Sequence, residues 1–139
     1  MGISPRQPPP SKTPPRQPAS ERVTLSFRYF RERPPFVTSG VGDNYAGVLL
    51  ARLSAVCAMT VREMKESRGK PLRCRPIRFE ETSETGGFKH VNLGLIEGTE
   101  PYQFRLTSNK HGRVHGFFVG NVFSVVWVDP THALYPAKG

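Results

Sequence analysis

Two residues, Gly120-Asn121, separate two apolar runs near the C-terminus, 112–119 and 122–128. A two-residue loop with glycine in first place fits a type II′ hairpin turn, and that loop length fixes the pairing. Val119 is expected opposite Val122, Phe118 opposite Phe123, and Val114 opposite Trp127. Side chains alternate between the faces of a strand. One face then carries Val114, Gly116, Phe118, Phe123, Val125 and Trp127, and is expected to be core. The other carries Arg113, His115, Phe117, Val119, Val122, Ser124, Val126 and Val128, a mixture expected to be covered only in part. A preceding strand over 102–107, with Leu106 opposite Val114, sets Arg105 across from His115. Arg105, Arg113, His115 and Ser124 would then share one polar cluster on a rigid sheet.

The rest of the chain supplies elements to pack on this hairpin. Val23, Leu25, Phe27 and Tyr29 alternate with Thr24, Ser26 and Arg28, which marks a half-buried strand ended by Pro34-Pro35. Asp43 is placed to cap a helix over about 44–58. Tyr45, Val48, Leu49, Leu53, Val56 and Cys57 form its inner stripe, with Arg52 outside. Thr60 and Glu63 form a capping-box pattern that opens a second, short helix. Leu72-Arg73-Cys74-Arg75 alternates like a strand, and Pro76 assigns it to an edge. Residues 80–100 read as a long acidic loop containing His90. The fold class expected is α+β in the order β-α-α-β-β-β-β: an antiparallel sheet of four to five strands with two helices on one face.

Half of the fourteen prolines lie in the first twenty residues, with Arg6, Lys12, Arg16 and no acid. Residues 1–21 are expected to be a disordered basic tail, a solvated arm or a ligand for an adaptor, and 22–139 a single domain. The net charge is +9, and the remainder of the chain still carries 17 bases against 11 acids. The folded part is therefore itself basic, which favours an anionic partner. Arg73, Arg75 and Arg78, with Arg28 and Arg31 at the end of the first strand, are candidate phosphate contacts. Lys and Arg guarding an exposed sheet edge are the other reading of the 73–78 segment. Cys57 and Cys74 have no metal-ligand spacing and are expected to be reduced thiols. No apolar run of 18 residues exists, so no membrane span is expected, and a cytoplasmic location is the default.

No P-loop, HExxH or GxSxG motif occurs, and carboxylates are too sparse in the strands for a two-metal nuclease. No cofactor or metal is expected. Arginines, histidines and a tyrosine around one sheet suit metal-free RNA cleavage, in which the 2′-hydroxyl attacks its own phosphate. Arg105 and Arg113 would hold that phosphate, while His115 and His132 would move protons near neutrality. The alternative is that His115 is a packed strand residue and His132 a turn residue after Asp129-Pro130-Thr131. The element order, Phe104-Arg105-Leu106, the segment 110–114 and the apolar strand 122–128 resemble the RelE-type toxins of bacterial toxin–antitoxin pairs. That resemblance implies an endoribonuclease toxin acting on RNA or the ribosome and held by an acidic antitoxin. Arg105, Lys110 and Arg113 would be its RNA-binding cations, and Tyr135 its C-terminal aromatic residue. The 112–132 stretch is also similar to uncharacterised small proteins of bacterial mobile elements. The rival expectation is a non-catalytic nucleic-acid or ribonucleoprotein-binding subunit of a defence complex.

Overall fold

The computed structural model describes residues 21–42, 44–67, 69, 72–91, 99–107 and 110–136. The tail up to residue 20 and Asp43, the expected helix cap, lie outside them, and the N-cap position of the first helix is Asn44. In chain order the elements are β1 (Thr24–Ser26), α1 (Tyr45–Cys57), α2 (Val61–Lys65), β2 (Arg75–Pro76), β3 (Glu100–Arg105), β4 (Arg113–Val119) and β5 (Val122–Asp129). A 3-10 turn at Phe79–Glu81 lies between β2 and β3. The fold is α+β, with one five-stranded sheet in the order β1-β5-β4-β3-β2. Four strands run antiparallel, whereas β1 runs parallel to β5. The hairpin tip sets that direction. Asn121 accepts a hydrogen bond from Thr24 N at 2.9 Å and its side chain donates to the Arg22 carbonyl at 2.9 Å, so both strands leave the same corner.

Local signals produce the helices. In α2, Thr60 Oγ1 accepts from Glu63 N and Glu63 Oε1 accepts from Thr60 N, closing the reciprocal capping box. In α1, Tyr45, Leu53 and Val56 are buried, and with Met64 of α2 they join Phe104, Leu106, Val114, Phe118, Phe123 and Val125 in one core. Arg52 does not point outward; its Nε donates to the Leu106 carbonyl at 3.0 Å and fastens α1 to the end of β3.

The hairpin register begins as expected, with Gly120 at φ 59° and Val119 and Phe118 opposite Val122 and Phe123. It then slips. Gly116 pairs with Val125, but His115 pairs with Trp127 and Val114 with Val128. Val126 is the extra residue of a β-bulge, and its carbonyl is taken by Arg31 N at 3.1 Å. A Cβ on Gly116 would lie 2.0 Å from the Ser124 carbonyl oxygen, so glycine permits the close approach beside the bulge. The slip exchanges two residues between faces: Val128 joins the helix-side core, and Trp127 turns to the opposite side.

That opposite side is a second core. Phe36, Ile77, Phe88, Val91 and Leu134, all from irregular segments, close over Phe117, Val126 and Trp127. Phe36 stacks on Trp127 with ring centres 4.5 Å apart and planes 7° apart. The expected open, mixed face is therefore sealed at its centre, and the 80–91 part of the expected acidic loop belongs to the seal. Thr82 is buried there, and Glu84 pairs with Arg33 at 2.6 Å. No helix among the described residues is long and apolar enough to cross a membrane.

Candidate nucleic-acid interface

The rim of the sealed face, where β2, β3 and β4 run side by side, gathers arginines. In β3 and β4, Arg105 lies opposite Arg113 and Gln103 opposite His115. The expected register placed Arg105 against His115; a two-residue shift keeps the faces but pairs the arginines. Arg75 lies opposite Gln103 on the other side of β3. Arg113 Nη1 donates to Gln103 Oε1 at 3.0 Å, so a buried amide holds one guanidinium in place. Burial and then the positive charges of Arg73 and Arg75 push the Arg105 guanidinium below its ordinary value. For Arg113 the causes are burial, then Arg75 and Arg105, opposed by Asp129, with Arg73 a further repulsion. Four like charges this close are self-repelling, and an added anion would relieve that repulsion. Nε of Arg113 is buried with no hydrogen-bond partner among the described residues.

Asp129 acts on Arg113 through its field, with its oxygens sealed and hydrogen-bonded elsewhere. It is buried, and its Oδ2 accepts from His115 Nε2 at 2.9 Å and from Leu134 N at 2.9 Å, while Oδ1 accepts from Ala133 N at 2.7 Å. Burial alone would raise its pKa. The hydrogen bond and charge of His115, with the two backbone N–H groups, outweigh burial and hold the carboxyl below its ordinary value. His115 is wholly buried, and burial outweighs Asp129 to push the imidazole below its usual value. The pair is thus a neutral imidazole donating Nε2–H to a carboxylate. Nδ1, unpartnered among the described residues, is then a bare acceptor rather than a stranded N–H. The expectation of His115 on the open surface beside Arg105 and Arg113 is overturned. Phe36, edge-on at 6.3 Å, and Asp129 enclose it, and no substrate can reach it.

His132 occupies the position that sequence reasoning gave to His115. The Asp129 carboxylate caps the turn that follows β5 and so fixes the chain through residues 130–134. Gly112, at φ 78°, lets that turn close on β4; a Cβ there would lie 2.0 Å from the Asp129 carbonyl oxygen. His132 is half-buried, and its pKa is lowered by burial and then by Arg113, with Asp129 opposing and Arg105 adding to the fall. It is neutral at physiological pH and in the field of the two central arginines. Arg73 (φ 44°) and His132 (φ 60°) are the non-glycine residues with positive φ among the described residues. Both belong to this cluster, and such backbone costs about 1–3 kcal/mol each, which the surrounding structure must impose.

Other candidate residues lie elsewhere. Arg78, Arg28, Arg31 and Lys110 are exposed, and none is among the charges acting on the rim arginines. The 72–75 segment forms ladder pairs only from Arg75, although it sits at the sheet edge as expected. The Tyr135 hydroxyl accepts from Arg78 N at 2.9 Å and so pins the C-terminal turn to residues 78–83. A cleft of about 490 Å³ beside Phe79, Gly87 and Phe88 has Lys89 as its charged side chain and none of the rim arginines. Sequence reasoning missed Gln103 and Asp129. Gln103 alternates with Arg105 along its strand, a signal available but unused; Asp129 was read only as a turn former. No family model, curated protein or solved structure matches the chain.

Proposed function

We propose that this protein binds RNA through its phosphate backbone at the rim formed by Arg73, Arg75, Arg105 and Arg113. The observation that carries the reading is the convergence of four arginines whose nearby carboxylate, Asp129, is buried and committed to His115 and two backbone N–H groups. Guanidinium groups match phosphate oxygens through paired N–H donors. RNA is favoured by the resemblance of the sequence segments 104–106, 110–114 and 122–128 to RelE-type toxins, under which the chain would act at the ribosome and be held by an acidic antitoxin. Binding affinity for a single-stranded RNA should fall with salt, with a log–log slope of about −0.7 per phosphate neutralised. Arg105→Ala with Arg113→Ala should flatten that slope by about 1.4, two phosphates' worth. An unchanged slope counts against the rim as the contact surface.

A second reading, metal-independent cleavage, is favoured by the neutral His132 beside Arg113 and Arg105. The 2′-oxygen would attack phosphorus as His132 takes its proton, and the bond to the 5′-oxygen would break, that oxygen taking a proton from solvent. The products are a 2′,3′-cyclic phosphate and a 5′-hydroxyl end. The arginines would stabilise the charge gathered in the phosphorane. In chelator, wild type should cleave RNA while His132→Ala binds but does not cleave. Cleavage retained by His132→Ala removes His132 from the reaction, and growth unimpaired by expression speaks against a toxin.

A further inference from the structure

A separate cleft of about 300 Å³ is lined by Arg31, Arg33, Glu84, Lys89, His90 and Trp127, none of them part of the arginine rim. The β-bulge builds it. The slip turns Trp127 to this face, and the Val126 carbonyl holds the Arg31 backbone at 3.1 Å. Trp127 is 99% buried and its Nε1, an obligatory donor, has no partner among the described residues. Arg33 lies over the Trp127 ring at 5.2 Å and pairs with Glu84 at 2.6 Å, which uses the cleft's carboxylate. Arg31 and Lys89 are exposed cations beside it. His90 Nε2 must carry the proton, because it meets the Tyr29 carbonyl at 2.8 Å, and the ring is thereby fixed.

We propose that this cleft binds a phosphate monoester. Its lining carries three cations against one carboxylate, one of its lining residues is Trp127, whose N–H has no partner among the described residues, and its volume suits a single nucleotide-sized ligand. A tetrahedral phosphate accepts from several directions at once, as donors from Arg31 and Lys89 on separate segments require; a planar carboxylate accepts chiefly in its own plane. Trp127 is already stacked on Phe36, so the site reads the phosphate and not a base face. The ligand is either a free nucleotide or the terminal phosphate of an RNA.

Trp127 is the chain's single tryptophan, so its fluorescence reports on this cleft alone. The protein is titrated with inorganic phosphate, adenosine 5′-monophosphate, acetate, and one RNA oligonucleotide with and without a 5′-phosphate. Saturable change with phosphate and the monophosphate is expected, weakened about tenfold or more by Arg31→Ala with Lys89→Ala and unaltered by Arg105→Ala with Arg113→Ala. Response to the phosphorylated oligonucleotide alone would identify an RNA end as the source and still support the site. No saturable response, equal response to acetate, or no loss in the Arg31/Lys89 variant overturns it. Because the rim variants leave this readout untouched, failure here is distinct from failure of the RNA-binding reading.

Discussion

The two faces of the sheet are both buried at their centres, yet they are built differently. The helix-side core is apolar except for the Tyr45 hydroxyl and comes mostly from regular elements whose periodicity shows in the sequence. The opposite core is closed by irregular segments and encloses the hydrogen-bonded His115–Asp129 couple, with arginines left at its rim. On the first face the Tyr45 hydroxyl is buried without a hydrogen-bond partner among the described residues, and packing of apolar side chains does the rest. On the second, polar groups divide by depth: His115 and Asp129 seal each other at the centre, and the arginines lie at the rim. Function is therefore expected at the rim of the second face, not at its centre.

The comparison breaks most visibly at Asp129. Asp129→Ala leaves the His115 Nε2–H and the N–H groups of Ala133 and Leu134 without their acceptor, and should cost about 3–5 kcal/mol by urea denaturation, the sum expected for such stranded donors. A loss that large would match the roughly 3–5 kcal/mol expected for Phe123→Ala in the apolar core. A loss below 1 kcal/mol would show that the second core does not depend on its polar couple.

The next effect is on pH. His115 and His132 both have depressed pKa values in the folded state, so the unfolded chain binds more protons as acid is added. Their contribution is whole above the ordinary imidazole value and is lost as pH falls through the lower folded values. Asp129, also depressed, extends the loss below the ordinary carboxylate range. Stability measured from pH 8 downward should decline from about 6.5, and His115→Gln should make the decline shallower. A rise in stability on mild acidification would reverse the assigned directions.

A smaller effect separates binding from folding. Arg73→Gly relieves a left-handed backbone and should leave stability unchanged or raise it by about 1 kcal/mol, while RNA affinity falls. Lost stability together with lost affinity would make Arg73 structural.

How much of this was legible in sequence follows from where periodicity has phase. The capping box Thr60–Glu63, the stripe of α1 and the Gly120-Asn121 turn each carry their own local signal, and each formed. Within Val125-Val126-Trp127-Val128 every side chain is apolar, so alternation cannot mark where a residue is inserted. The bulge, and with it the burial of Trp127 and His115, left no trace except Gly116, the position without a Cβ. The cover from Phe36, Phe88 and Leu134 was equally silent, because irregular segments have no period. Alternation along the strands already sets Arg105 and Arg113 on one face, while their grouping with Arg73 and Arg75 comes from the sheet order.

The central claim is that the position of these charges matters more than their number. RNA affinity at fixed salt should be compared between Arg105→Ala with Arg113→Ala and Arg28→Ala with Arg62→Ala, the latter two being exposed arginines after β1 and on α2, so that the variants have equal net charge. The rim variant is expected to lose at least about tenfold more affinity than the other. Equal losses in the two would contradict the account and leave only the chain's overall positive charge.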